Sequence, residues 1–273
     1  MTFFVEALQY GFFRRALLAV LLVCPSLSML GCLVLETRTT FFSDAIGHAG
    51  LSGIAIGTLL GFSDPLVGLT GFSVLLALAV TLARRRSAAP PDAAIGIFQS
   101  AAVALGVVLL SRGGGFARFS RYLIGDILSV SPADLTRLAI ATGIFLPIFA
   151  FLFSRVLLAS LGESFARSRG LSPGRIQTAF ALLLAVTVSA SLQWIGILVI
   201  QAMVILPAAA ARNLARSTAA FLWGSVAVGL GSGAVGLFAS YAFSTATGAT
   251  IVLAAFAAFL ATLLVKIFRE RQA

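Results

Sequence analysis

A chain of 273 residues that is 60% hydrophobic and only 10% charged lies far from a soluble domain, where about 25% of residues carry charge, and reads as an all-α, polytopic membrane protein. Its net charge of +10 would suit nucleic acid. However, the arginines sit singly or in short clusters between apolar runs, with no basic stripe and no interleaved aromatics, so they read as membrane-flanking charge. Nucleic acid is excluded as a partner, and membrane lipid takes its place.

Residues 1–13, with four phenylalanines, one tyrosine and one glutamate, read as an interfacial segment. After Arg14-Arg15 the chain runs uncharged from 16 to 35 with no A-x-A site, so this stretch reads as a retained first span that Pro25 can kink or unwind. Cys24 and Cys32, roughly 12 Å apart along that helix, cannot pair with each other and read as small core residues.

A second span covers 45–63. In it Ala45, Ala49, Gly53, Gly57 and Gly61 recur at every fourth position, forming a ridge that lets a neighbouring backbone come close and predicts a helix packed inside the protein. Further spans fall at 65–83, 93–111 and 138–154. Two more lie within 176–211, joined near Ser191-Leu192-Gln193, and two within 217–265, hinged near 244–248, which makes nine. The stretch 112–134 is the longest loop, and its centre, 122–128, is too short to span and predicts a helix on or dipping into the surface. Placing the carboxyl end with 36–44, 84–92, 155–175 and 212–216 collects 13 of the 19 Lys+Arg on one side and leaves 6 opposite, so that side is expected to be cytoplasmic.

The second span carries the sharpest chemistry. His48 is the only histidine of the chain and follows Asp44 by four residues. On a helix such residues lie about 5–6 Å apart on one face, so Asp44 and His48 can offer an oxygen and a nitrogen to one ion. Counted as helix from Arg38, His48 would sit about 15 Å along it. The competing reading is an N-cap aspartate and a core histidine bonded to a carbonyl; against it stands the cost of ionisable groups within spans. Carboxylate and imidazole suit Zn²⁺, Mn²⁺ or Fe²⁺, and no cysteine is near enough for a thiolate site. Asp92 and Asp126 read as caps or interfacial residues, and Gln193 and Gln201 as helix-to-helix hydrogen-bonding groups. No G-x-x-x-x-G-K-[ST] phosphate loop occurs, so the chain is not expected to hydrolyse ATP in the P-loop manner.

Four stretches carry a resemblance. Ser43-Asp44-Ala45-Ile46-Gly47-His48-Ala49 resembles a D-A-x-x-H-A element. Asp92-Ala93-Ala94-Ile95-Gly96-Ile97 with Ala104-Leu105-Gly106 resembles a fourth-span signature. Residues 122–132 (Y-L-I-G-D-I-L-S-V-S-P) and the run from Gly196-Ile197-Leu198 to Pro207-Ala208-Ala209-Ala210-Ala211-Arg212 follow in the same order. Together they resemble the permease subunit of bacterial ABC importers for zinc, manganese and iron, over nearly the whole chain.

That resemblance implies one integral-membrane permease domain over 1–273, about eight spans, and a fold of the vitamin B12/metal-chelate importer type in the bacterial inner membrane. It also implies a second permease copy, two cytoplasmic ATP-binding subunits and an extracytoplasmic metal-binding protein as partners. Asp44 and His48 match the residues that line the family's metal path. The matching cytoplasmic coupling element lies at about 160–175, with Glu163, Phe165, Ala166, Arg167 and Gly170 as its candidate residues and Ala166 and Gly170 at its recurring small positions. Zinc is the first expectation for the transported ion, with manganese, iron or a metal chelate or vitamin as alternatives, and no permanently bound cofactor is expected. A membrane metalloenzyme is the remote alternative, since one His-Asp pair lacks a second histidine, a glutamate base or a nucleophile.

Overall fold

The computed structural model describes residues 2–62, 64–86, 90–113 and 125–272. Among them the chain is helical, with no strand: α1 (Thr2–Gln9), α2 (Gly11–Glu36), α3 (Thr40–Leu59), α4 (Pro65–Arg86), α5 (Pro91–Gly113), α6 (Pro132–Leu161), α7 (Glu163–Ser168), α8 (Pro173–Ile195), α9 (Ile197–Leu214), α10 (Thr218–Phe243) and α11 (Thr247–Gln272). Eight of these are long and apolar enough to cross a membrane. The ninth long helix is α3, at 20 residues; Asp44, His48 and its glycines make it less apolar than the rest. The nine spans expected from the sequence fall on nine long helices among the described residues, but α3, expected as the second span, is not one of the eight that qualify by length and composition.

The helix ends follow local chemistry. Asp64 Oδ1 accepts from Leu66 N at 2.9 Å with Pro65 at the first helical position, an arrangement that opens α4. Ser131 and Asp134 form a reciprocal capping box at α6: Ser131 N donates to Asp134 Oδ2 (3.1 Å) and Asp134 N donates to Ser131 Oγ (3.2 Å). At the far end of α3, Gly61 at φ +76 lets Phe62 N reach Gly57 O at 2.9 Å, a left-handed closure that suits glycine. Gly61 therefore ends the helix and does not continue the ridge of small residues. The break expected near Gln193 falls at Gly196, φ +78, because glycine can take the positive φ that separates α8 from α9. Pro25 does not interrupt α2. Of the predicted 122–128 helix, 122–124 lie outside the described residues. The remainder is a 3₁₀ turn, Ile127–Ser129, capped by Asp126, and this bears out the cap reading of that aspartate. Asp92 lies in the first turn of α5.

Two compact units emerge. The first comprises Met1–Leu35, Ile124–Gly143 and Trp194–Ala273. In it α9, α10 and α11 pack together, and Ser225 Oγ on α10 donates to Ser28 O on α2 at 2.9 Å. The alanines of the Pro207–Arg212 run have a packing reason, since Ala208 and Ala211 bury against Cys32 and Phe221. Both cysteines are buried, and Cys32 Sγ donates to Phe221 O at 3.9 Å.

The second unit comprises Glu36–Leu123 and Ile144–Gln193, and in it α3 packs on both α4 and α5. The ridge predicted from sequence faces α4: a Cβ on Gly53 would lie 2.6 Å from Gly68 O and 2.8 Å from Leu69 Cα. Ala45 and Ala49 are fully buried. The face bearing Ser52 meets α5, where Ser52 Oγ donates to Ala102 O.

Candidate functional site

Arg38, at φ +54, turns the chain into α3, and Thr39 is the residue preceding the helix. Asp44 is therefore the fifth helical residue and not its N-cap. The helix from Thr40 to His48 rises about 12 Å, less than expected from Arg38, because Arg38 itself is not helical.

The pair stands as its spacing predicts. His48 Nδ1 lies 2.9 Å from Asp44 Oδ1 and 3.2 Å from the main-chain O of Asp44. The His48 side chain is 37% exposed and that of Asp44 15%, so His48 is not a core histidine although its ring does face a carbonyl. A main-chain carbonyl only accepts hydrogen bonds, so Nδ1 is the donor to Asp44 O, which in the neutral imidazole leaves the lone pair on Nε2.

A third residue, absent from the sequence expectations, completes the site. Gln99 Nε2 on α5 donates to Asp44 Oδ2 at 2.8 Å. Its signal was available: in the run 93–110 only Gln99 and Ser100 have side chains able to hydrogen-bond. Its partner was not, because the contact joins residues 55 positions apart through the packing of two helices. Asp44, His48 and Ser52 fall on one side of α3, with Gln99 and Ala102 opposite on α5, and Ser52 Oγ is buried in that seam.

Among the described residues no group of three or more His, Cys, Asp or Glu could hold a metal ion. One chain thus presents a carboxylate and an imidazole with a carboxamide beside them. Such oxygen and nitrogen donors suit first-row divalent ions without thiolate affinity.

The expected coupling residues lie on α7 and its exit. Ala166 is fully buried, which explains a small residue there. Gly170, φ +72, lets Leu171 N reach Ala166 O at 3.0 Å and so closes the helix. Glu163 and Arg167 pair at 2.9 Å on the exposed face. Phe165 is exposed, with the Arg169 guanidinium 5.5 Å from its ring centroid. Beside this element, Arg85 from the end of α4 donates to Gly174 O and, at 2.7 Å, to Thr178 Oγ1 on α8.

Comparison with known proteins gives this geometry its context. The ABC 3 transport family matches residues 9–266. A Haemophilus influenzae protein named as a probable iron transport system membrane protein is 32% identical, over 91% of this chain and 92% of its own length. The manganese transport system membrane protein MntC of Halalkalibacterium halodurans is 34% identical, over 93% of this chain and 87% of its own. In the solved structure of PsaBC from Streptococcus pneumoniae in complex with Fab, one chain superposes with a TM-score of 0.83 at 29% identity, covering 96% of this chain and 94% of that one. A family match over nearly its full length, joined to an all-helical multi-pass architecture, makes the chain a member of the ABC 3 transport family, as an ABC transporter permease.

Proposed function

We propose that this chain is the permease of an importer that carries a divalent transition metal into the cytoplasm, and that Asp44 and His48 form a transient station on the ion path. The observation that carries the reading is the Asp44–His48 pair, 2.9 Å apart on one face of α3, within an apolar bundle where ionisable groups are costly and mark ion pathways. Zinc is the cargo first expected from the sequence. Manganese or iron has the better support, because the donors are carboxylate, imidazole and carboxamide and the relatives are named for manganese and iron transport.

In this reading the whole chain is one permease body, paired with a second copy, and the basic carboxyl end is cytoplasmic. Two ATP-binding subunits dock on the element around 160–175, where Glu163, Phe165 and Arg167 present exposed side chains while Ala166 and Gly170 shape the turn. A metal-binding protein delivers the ion from outside. The station binds weakly enough to release, as conduction requires. Nucleotide-driven change at the coupling element shifts the equilibrium between outward and inward states only through contacts that differ between them.

The test is ATP-driven uptake into proteoliposomes carrying the complete complex, with Mn²⁺, Fe²⁺ and Zn²⁺ in competition. We expect Mn²⁺ uptake that Fe²⁺ inhibits more effectively than Zn²⁺. Preferred zinc uptake would restore the first expectation, and no uptake of any divalent metal would refute the reading.

A further inference from the structure

Arg84, Arg85 and Arg86 end α4, where positive charge suits a helix C-terminus and flanks a membrane. Neither reason calls for a partner on another helix. Arg85 nonetheless has one: its Nη2 donates to Gly174 O and, at 2.7 Å, to Thr178 Oγ1, both at the start of α8. Thr178 Oγ1 in turn donates to Gly174 O at 2.9 Å, so the three groups close one small network. Gly174 leaves the room for it, since a Cβ there would lie 2.9 Å from Arg85 Cζ and 3.0 Å from Nη2.

What the network joins gives it a use. On one side, only residues 169–172 separate α7 from α8, and they hold little slack. Gly170 N donates to Arg167 O at 2.9 Å and Leu171 N to Ala166 O at 3.0 Å, and Pro173 fixes φ where α8 begins. A push on α7 is therefore passed to the first turn of α8. On the other side, α4 meets α3 backbone to backbone, with Gly68 against Gly53 and Gly57. Close-packed contacts transmit strain, so a displaced α4 acts on the helix that holds Asp44 and His48.

We propose that Arg85 is a positioning residue for coupling, which ties the exit of α7 to the end of α4 and so links the docking element to the helix of the ion station. This rests on the reading of 160–175 as the element on which the ATP-binding subunits dock. Without the tie, nucleotide-driven movement of α7 reaches α8 but loses this route to α4 and α3, and ATP is hydrolysed with less uptake. The contact is exposed, so its loss has little effect on folding and shows in coupling.

The experiment measures ATP hydrolysis and Mn²⁺ uptake by the complete complex in proteoliposomes, with the thermal midpoint of each preparation. Arg85→Met keeps the stem and removes the donors; it is expected to lower the Mn²⁺ carried per ATP about threefold or more, the scale on which residues between coupled sites act, at an unchanged thermal midpoint. Arg85→Lys, which keeps a charge and donors, is expected to recover part of the ratio. Gly174→Ala retains Arg85 but fills the space its guanidinium occupies. Alanine favours a helix over glycine, so this variant folds at least as well, and it is expected to lower the ratio as Arg85→Met does. Joined to Arg85→Met it is expected to add nothing, because both act through one contact.

A ratio equal to that of the unaltered complex in Arg85→Met or in Gly174→Ala overturns the proposal. Hydrolysis and uptake that fall together with a lowered thermal midpoint overturn it as well, because Arg85 would then be a folding residue. The docking element is judged separately by charge reversal at Arg167 and Arg169: an unchanged ratio there refutes the docking reading, whereas a lowered ratio there with an unaltered one in Arg85→Met refutes only the role given to Arg85.

Discussion

His48 and Ser52 sit one helical turn apart on α3 and use their polar atoms in opposite ways. His48 turns Nδ1 to its own helix and leaves Nε2 open. Ser52, fully buried, spends its hydroxyl on Ala102 O of α5. The first leaves a ring nitrogen unengaged and the second closes a seam between helices. Ser52→Ala should therefore lower the stability of the complex by about 1 kcal/mol, the usual net value of one hydrogen bond, and leave Mn²⁺ affinity unchanged; thermal unfolding and equilibrium dialysis on one preparation check both halves.

The Asp44–His48 pair was legible in the sequence because it is local: four residues on a helix fix the geometry before any tertiary contact forms. The N-cap alternative for Asp44 failed because the helix begins at Thr40, a boundary set by the turn through Arg38 and one that propensity places poorly. Gln99 was visible as an isolated polar residue in an apolar run, but which residue it meets depends on how α5 packs on α3.

At the scale of elements, the site is held by close approach of α3 and α4. The ridge of small residues read from sequence does face a neighbour, and the partner is Gly68. A Cβ at Gly53 would meet Gly68 O at 2.6 Å and Leu69 Cα and Phe72 Cβ at 2.8 Å, so most of the obstruction is backbone, which cannot rotate away. Gly53→Ala should cost about 1–3 kcal/mol by overpacking. Gly71 on α4 supplies the control: an added Cβ there meets nothing within 4 Å, and Gly71→Ala should be neutral or slightly stabilising, since alanine favours a helix over glycine by up to about 1 kcal/mol. Comparing the thermal midpoints of the two variants tests the seam, and equal effects would contradict it. The period of four in the sequence disclosed this ridge. It did not disclose that Gly61 leaves the ridge to close the helix, because a left-handed residue and a packing residue look alike when both are glycine.

For the whole molecule, the long helices were legible because apolar runs are long, but α6 and α11 run six or seven residues past their expected ends, where caps such as Ser131 set the boundary. The break falls at Gly196, three residues past Gln193, because the positive φ there needs a glycine whereas a polar residue can stay helical. The short α7 was readable as a polar interruption, yet its role rests on resemblance. Its Glu163–Arg167 pair is exposed and of the i,i+4 kind, worth about 0.3–0.5 kcal/mol, so it does little for stability. Charge reversal at Arg167 and Arg169 should thus leave the folded complex intact while separating ATP hydrolysis from uptake. Measuring both rates in proteoliposomes checks this, and an unchanged ratio would show α7 to be an ordinary solvated helix.

The central claim, that Asp44 and His48 hold the ion in transit, is tested most directly by ATP-driven Mn²⁺ uptake into proteoliposomes reconstituted with Asp44→Ala or His48→Ala complexes, with co-purification of the ATPase as the check on assembly. The account predicts assembled complexes whose uptake falls to background in both variants. Uptake at the level of the unaltered complex in both would contradict it.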